Sequence, residues 1–445
     1  MFARKTKAHR YSRLALSQLV LSALILGTCR ASEMATEALP HEGAKIALSG
    51  EVAGGLSHND VDGRGYAWAG VRLQLQVQPA ENLELATRLH AWTTDSSEPP
   101  NTNDSQIDRC FVSWNEVGGQ PLRLTGGRLP TMGETSPGYL RLGLDQSEGW
   151  LSSFADIAMD GAALAYRHQT PLPGQLRFYY ATQIDAGYSH ENITGPPLEK
   201  TTIYGLQWDL ALSKSRSLQF QSLLLADLWN VPEGMTVANP LEYVVMGPNG
   251  EVLAGSDNGI LDRQKLGNIY QTSLTYLDKV RDLNIFATLG WSHTDPDGCD
   301  ELGTGLLSSW WEELKNEDGF AFYAGLRYDI EKLHSSIGLE YNYGSKYWVS
   351  FAQHGSENSK LATRGAVTEV YWTVKPPIPV AMAKTARALI GRLSYQHYDF
   401  NFTGSGLWLG EPLDIDSLQA DPLSAQFYTP VESMDQVNAT LTLYF

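Results

Sequence analysis

The sequence predicts a single transmembrane antiparallel β-barrel of about 16 strands, and three observations predict it. Apolar and polar residues alternate in segment after segment, as they do in strands that face two different media. The connections between those segments alternate between short and long, which puts the tight turns at one end of a barrel. No run of 18 or more apolar residues follows the first thirty positions, so no helix there is long and apolar enough to cross a membrane. Backbone groups in hydrocarbon must all be paired, so a sheet that spans a membrane has to close on itself.

Composition narrows the alternatives. Charged residues are 19% of 445, below the roughly 25% usual in soluble domains, while 12 Trp and 21 Tyr are a heavy aromatic load. Disorder and coiled coil are excluded on that composition. Lys+Arg 33 against Asp+Glu 50 gives −17, which excludes a nucleic-acid partner because phosphate contacts need a basic face.

The first residues read as an address. Arg4, Lys5, Lys7, Arg10 and Arg13 precede an apolar run from Leu14 to Gly27, and Cys29-Arg30-Ala31-Ser32 follows. This is the charged region, short apolar region and small-residue exit of a secretory signal over residues 1–31, with cleavage expected after Ala31 and the barrel over 32–445. The apolar run is too short for a membrane anchor, and Thr28 and Arg30 flank Cys29 poorly for lipidation. Cleavage would remove six Lys/Arg and no acid, taking the charge from −17 to −23. Cys110 and Cys299 would remain, too few for a disulfide framework.

Sixteen strands are expected near 44–57, 65–78, 83–93, 106–115, 122–128, 161–168, 175–184, 201–212, 218–228, 266–276, 283–294, 319–330, 335–344, 363–374, 385–400 and 436–445. Val71-Arg72-Leu73-Gln74-Leu75-Gln76-Val77-Gln78 alternates strictly, as does Val437-Asn438-Ala439-Thr440-Leu441-Thr442-Leu443-Tyr444-Phe445. Short turns fall at Pro79–Asn82, Glu116–Pro121, Gln169–Gly174, Ser213–Ser217, Leu277–Asp282, Glu331–His334 and Lys375–Lys384. Longer connections include 129–160, 229–265, 295–318 and 402–435. Trp68, Trp92, Trp114, Trp208, Trp291, Trp372, Tyr276, Tyr328 and Tyr395 lie near segment ends, where aromatic girdles meet the two interfaces. The chain ends on Tyr444-Phe445 after an alternating strand, which looks like the signal read by the barrel-assembly machinery.

A more specific pattern lies between Ile107 and Gln183. Ile107-Asp108-Arg109-Cys110-Phe111-Val112-Ser113-Trp114-Asn115 is followed by Gly126-Gly127-Arg128-Leu129-Pro130-Thr131, Asp156-Ile157-Ala158-Met159-Asp160-Gly161 and Pro173-Gly174-Gln175-Leu176-Arg177-Phe178-Tyr179-Tyr180. This resembles an uncharacterised, domain-of-unknown-function family of porin-like outer-membrane proteins in the porin superfamily, closely over about a fifth of the chain. The resemblance implies a barrel in the outer membrane of a Gram-negative bacterium. It brings no established substrate and no catalytic residues.

Alternation nominates the residues that would line a lumen. Arg72, Arg88, Arg123, Arg167 and Arg177 are expected to form one basic arc, with Arg109 ambiguous in its strand. Asp209, Asp227, Asp329, Glu340 and Glu369 would supply acids, interrupted by Arg327 and Arg392. Facing walls of opposite charge sort ions and polar solutes, although each Arg could equally pair with a neighbouring acid and stiffen the wall. Connection 129–160 is the candidate for a segment folded into the lumen, offering Met132, Tyr139, Leu142 and Trp150 for packing and Arg141, Asp145 and Glu148 for lining. Connection 295–318 reads as a solvated acidic loop, because Leu306 stands where a calcium loop needs its last acid. A helical turn or two is expected over 309–315.

No C-x-x-C, H-E-x-x-H, P-loop or G-x-S-x-G is present, and the histidines are scattered. The expectation is therefore a channel for passive diffusion of small polar or charged solutes, without cofactor, metal or catalysis. Its partners would be outer-membrane lipid, the assembly machinery, small solutes and further copies of itself. Two alternatives stand beside it: a sleeve for a partner such as an electron-transfer cytochrome or an exported polymer, and an outer-membrane hydrolase.

Overall fold

The computed structural model describes residues 45–61, 63, 65–94, 104–131, 154–157, 159–182, 201–230, 244–246, 252–255, 264–300, 303–309, 313–352, 360–378, 386–420 and 430–445. The leader 1–31, Arg141 and the other residues nominated between 132 and 153 lie outside them.

Sixteen strands form the barrel and are numbered around it. They are β1 Lys45–Asn59, β2 Gly65–Ala80, β3 Leu83–Thr94, β4 Asp104–Asn115, β5 Leu122–Arg128, β6 Asp160–His168, β7 Gly174–Thr182 and β8 Thr202–Ala211. The second half comprises β9 Arg216–Trp229, β10 Lys265–Val280, β11 Leu283–Pro296, β12 Asp318–Ile330, β13 Ser335–Gly344, β14 Gly365–Val374, β15 Ala388–Phe400 and β16 Ser433–Tyr444. Each pairs antiparallel with the next in sequence, and β1 pairs β16 to close the ring. Both described ends of the barrel chain lie at the short-turn end.

β13 shows why these residues form these strands. Ile337, Leu339 and Tyr341 are 49%, 44% and 41% exposed on the outer face, while Glu340 and Asn342 between them are 1% and 0% exposed within. A period of two in polarity sets the register, since a one-residue slip would turn the charges into lipid. Trp114, Trp208, Trp291, Trp372, Tyr328 and Tyr395 are exposed on the outside, where an aromatic girdle belongs. Trp68 and Trp92 depart from the expectation. They share the inner-face parity of Arg72 and Arg88, and the Trp68 indole lies over Gly55 while Trp92 packs beside His90.

The seam is completed by the last residue. The Phe445 backbone donates to the Gly50 carbonyl and accepts from the Gly50 N–H, both at 3.0 Å. A Cβ on Gly50 would sit 2.8 Å from the Phe445 ring, so glycine is what lets the ring close in. Phe445→Ala is expected to remove about 1–2 kcal/mol of apolar burial at the closing seam. The measurement is the fraction of heat-modifiable, folded protein recovered from membranes, and an unchanged fraction would count against a closing role.

The core is inside the barrel, on the long-loop side. Inward Ala163, Tyr179, Ala181, Ile203, Leu223, Leu225 and Ile269 of β6–β10 pack against loop residues Leu129, Ala155, Ile157, Met159, Leu306, Leu307, Val349, Phe351 and Trp408. Phe351–Ala352 pairs in parallel with Ala155–Asp156, joining two loops far apart in sequence. Both described ends of connection 129–160 are thus folded inward. Outside the barrel sheet, Val244–Met246 pairs with Val252–Gly255, and Ile415–Ala420 is a short helix that the sequence reading missed. The turn expected over 309–315 is not helical at Glu313–Lys315, and 310–312 lie outside the described residues.

Candidate functional site

The inner face has two walls of different charge. On the first, formed by β1–β8, Arg72, Arg88, Arg123, Arg167 and Arg177 all carry inward parity, as the alternation predicts. Arg109 joins them because a bulge opposite Arg88 and Leu89 makes Asp108 an extra residue and resets the period. Ile107 and Cys110 consequently face outward, and Arg109 lies inward, 1% exposed and directly opposite Arg88. The ambiguity in the sequence was the bulge.

Three of these guanidinium groups meet carboxylates among the described side chains of this face. Arg72 donates to Glu51 at 2.8 Å, Arg123 to Glu84 at 2.9 Å, and Arg177 lies 3.6 Å from Asp209. Asp209 also accepts from Gln207 and Gln219 at 3.1 and 2.8 Å. Arg177 in turn donates to Gln207 at 2.8 Å, so the row is a continuous polar ladder. Such hydrogen-bonded ion pairs hold long side chains in one position. The described part of this wall is therefore rich in arginine and fixed in geometry.

The second wall, β11–β15, lies across the lumen, since β5 and β13 are eight places apart in a ring of sixteen. Glu340 and Glu369 stand directly opposite each other on β13 and β14, both buried. Like charges so placed repel, and a buried carboxylate needs a counter-charge. Arg392 bonds Glu369, and Lys360, reaching in from the connection after β13, bonds both carboxylates. Tyr323 donates to Glu340, and the Lys360 ammonium lies 4.9 Å from the Tyr323 ring centre. Nearer the short-turn end, Arg327 donates to Asp329 at 2.8 Å and Asn284 donates to the same carboxylate at 2.9 Å. Asp227 is the exception among the nominated acids. It sits at the irregularity in β9 with φ 58° and pairs with Lys265 at 2.9 Å, its side chain 51% exposed and out of inward parity.

Sequence reasoning missed the residues that fix the interior loops. Trp348 is fully buried, donates from Nε1 to the Leu361 carbonyl at 2.8 Å, and meets Phe154 edge-on with ring centres 4.8 Å apart. A Cβ on inward Gly290 would lie 2.6 Å from Trp348 and 2.7 Å from Phe154, so only glycine leaves the wall bare enough for this contact. Gln271 of β10 donates to the carbonyls of Phe154 and Val349 at 3.2 and 3.0 Å, tying both loops to the wall. Arg364 is also buried, and it donates to the carbonyls of Trp348, Thr403, Gly404 and Leu407. Burial pushes its guanidinium down to about 9, and the four carbonyls are what hold it in place. Lys346 pairs with Glu411 at 2.9 Å, a second strap between the same two connections. No spacing marks these residues, because most of their partners are backbone carbonyls and all are brought close only by the fold.

Cys110 and Cys299 are both free thiols, and no group of His, Cys, Asp or Glu suited to a metal occurs among the described residues. Asp300, in the segment weighed as a calcium loop, instead accepts the Thr304 N–H at 2.8 Å and shapes a turn. The solvated loop expected over 295–318 is corrected at its middle, where Leu306 and Leu307 are buried in the interior core.

Comparison with known families bears on this architecture. The model of a family described as "Protein of unknown function (DUF3373)" matches residues 78–445. The chain belongs to that family. The DUF3373 match extends from β2 to the last residue, far beyond the stretch 107–183 on which the sequence resemblance rests. None of the curated proteins matches this chain. Among solved structures, outer-membrane-expressed OmpT of Vibrio cholerae is 12% identical with a TM-score of 0.46, covering 92% of this chain and 100% of that one. The in-vitro folded trimer form of the same outer membrane protein is 12% identical with a TM-score of 0.44, over 91% and 100%.

Proposed function

We propose that this DUF3373 protein is an outer-membrane channel of a Gram-negative bacterium, through which small polar or charged solutes diffuse passively. The inner face supports this reading. Six inward guanidinium groups, three of them held by carboxylates of the same face, line one wall of a barrel whose outer face is apolar. Barrels of 16–18 strands are wide enough for an aqueous path, and the interior loops narrow it from the β6–β13 side. The arginines of the facing wall favour anionic organic solutes. Outer-membrane lipid covers the outside, and Tyr444 and Phe445 present the assembly signal. The channel works without cofactor or catalysis. The interior segments of its own chain stand against the sleeve reading, because they occupy space a partner protein would need.

Reconstitution of pure, folded protein in planar bilayers is the test. Discrete conductance steps are expected, and their absence would overturn the channel reading.

A further inference from the structure

We infer that Lys360 determines the ion preference of this lumen, by cancelling an acidic wall that would otherwise oppose the basic one. The inference rests on the channel reading and goes beyond it in naming a residue from a loop.

The argument starts from β13 and β14. Glu340 and Glu369 are cross-strand neighbours on the inner face, 1% and 0% exposed. Two ionised carboxylates in that position would set a negative potential at mid-height in the lumen, facing Arg123 and its neighbours across the ring. The barrel itself offers Arg392 to Glu369. The second cation comes from elsewhere. Lys360 lies in the connection between β13 and β14, and its ammonium is placed against both carboxylates.

The backbone around Lys360 is anchored for this purpose. Asn342 of β13 donates to the Lys360 carbonyl at 2.6 Å, and the Trp348 indole donates to the next carbonyl, that of Leu361, at 2.8 Å. Two carboxylates therefore face two cations, and the buried set is neutral as a whole. Salt screens buried charges far less than exposed ones, so neutrality here depends on Lys360 and not on mobile ions. With this wall silent, its carboxylates no longer oppose the arginines of the facing wall.

The experiment is the reversal potential of reconstituted channels in a salt gradient, read as the anion-to-cation permeability ratio. Lys360→Gln leaves one uncompensated negative charge and is expected to lower that ratio about threefold or more. Lys360→Arg keeps the charge and is expected to keep the native ratio. The double variant Lys360→Gln with Glu369→Gln removes one charge of each sign, and is expected to restore the native ratio although the loop has lost its lysine. A purely structural role predicts the opposite for the double variant, a ratio still displaced. If Lys360→Gln fails to fold, Glu340→Gln with Glu369→Gln serves instead, and should raise the ratio. Conducting channels whose ratio is unmoved by the single substitution, or not restored in the double, would overturn this inference while leaving the channel reading standing. Native protein without conductance would overturn the channel reading instead.

Discussion

Arg364→Ala is expected to unseat the interior loops while leaving the barrel closed. The Arg364 side chain is fully buried and donates to four carbonyls, at 3.1 Å to Trp348, 3.1 Å to Thr403, 2.8 Å to Gly404 and 2.5 Å to Leu407. Hydrogen bonds with a charged partner contribute about 1.5–3 kcal/mol each; they are not additive, and water entering the cavity re-pairs part of the four freed carbonyls, so the loss is roughly 3–5 kcal/mol. Little of that reaches the sheet, since the sixteen barrel strands are held by backbone ladders. Three readouts follow. Protease should cut within 401–414 or 345–364 many times faster than in the native protein, heat-modifiability on gels should persist, and single-channel conductance should rise as the lumen clears. Trp348→Ala attacks the same assembly from its apolar side, with a cost of about 3–5 kcal/mol for a fully buried indole, and should mimic it. Native cleavage rates and conductance in both variants would show that the loops are held by something other than these two residues.

The contrast between what alternation reveals and what it hides follows from the range of the interactions. All sixteen barrel strands were legible because a strand's two media act on every second residue, and a period of two survives in sequence without knowledge of any partner. β13 and β16 are readable almost residue by residue. The inward arginines were legible for the same reason, and Arg109 became ambiguous only where Asp108 interrupts the period. Trp68 and Trp92 misled because aromatic position along a strand does not say which face the ring takes; the small residues Gly55 and Gly70 opposite them accept rings on the inside. Lys360, Trp348 and Arg364 were invisible on different grounds. Each acts through a partner brought near by barrel closure, and a loop lysine or arginine reads as solvated until its carboxylates or carbonyls are in view.

Changing Arg88, Arg167 and Arg177 together to Gln is expected to lower the anion-to-cation permeability ratio by about an order of magnitude, since three unit charges leave one wall of the lumen. These three are chosen because Glu51 and Glu84 keep Arg72 and Arg123 as partners. Asp209 loses Arg177 but retains Gln207 and Gln219, which limits the structural cost. A rival account gives the protein a cation preference, set by its overall acidity of −17 and by acids such as those of 295–318. Exposed charges such as Glu313 and Asp318 are screened within about 8–10 Å at physiological salt, whereas Arg88 and Arg177, 5% and 6% exposed on the inner face, are screened far less. Glu340 and Glu369, the inward acids that could reverse the sign, are matched by Lys360 and Arg392. Reversal potentials of native and triple-variant channels in the same salt gradient separate the two accounts. A native channel that prefers cations, or a ratio that the triple change leaves untouched, would mean that the arginines stiffen the wall and leave selectivity to the loops.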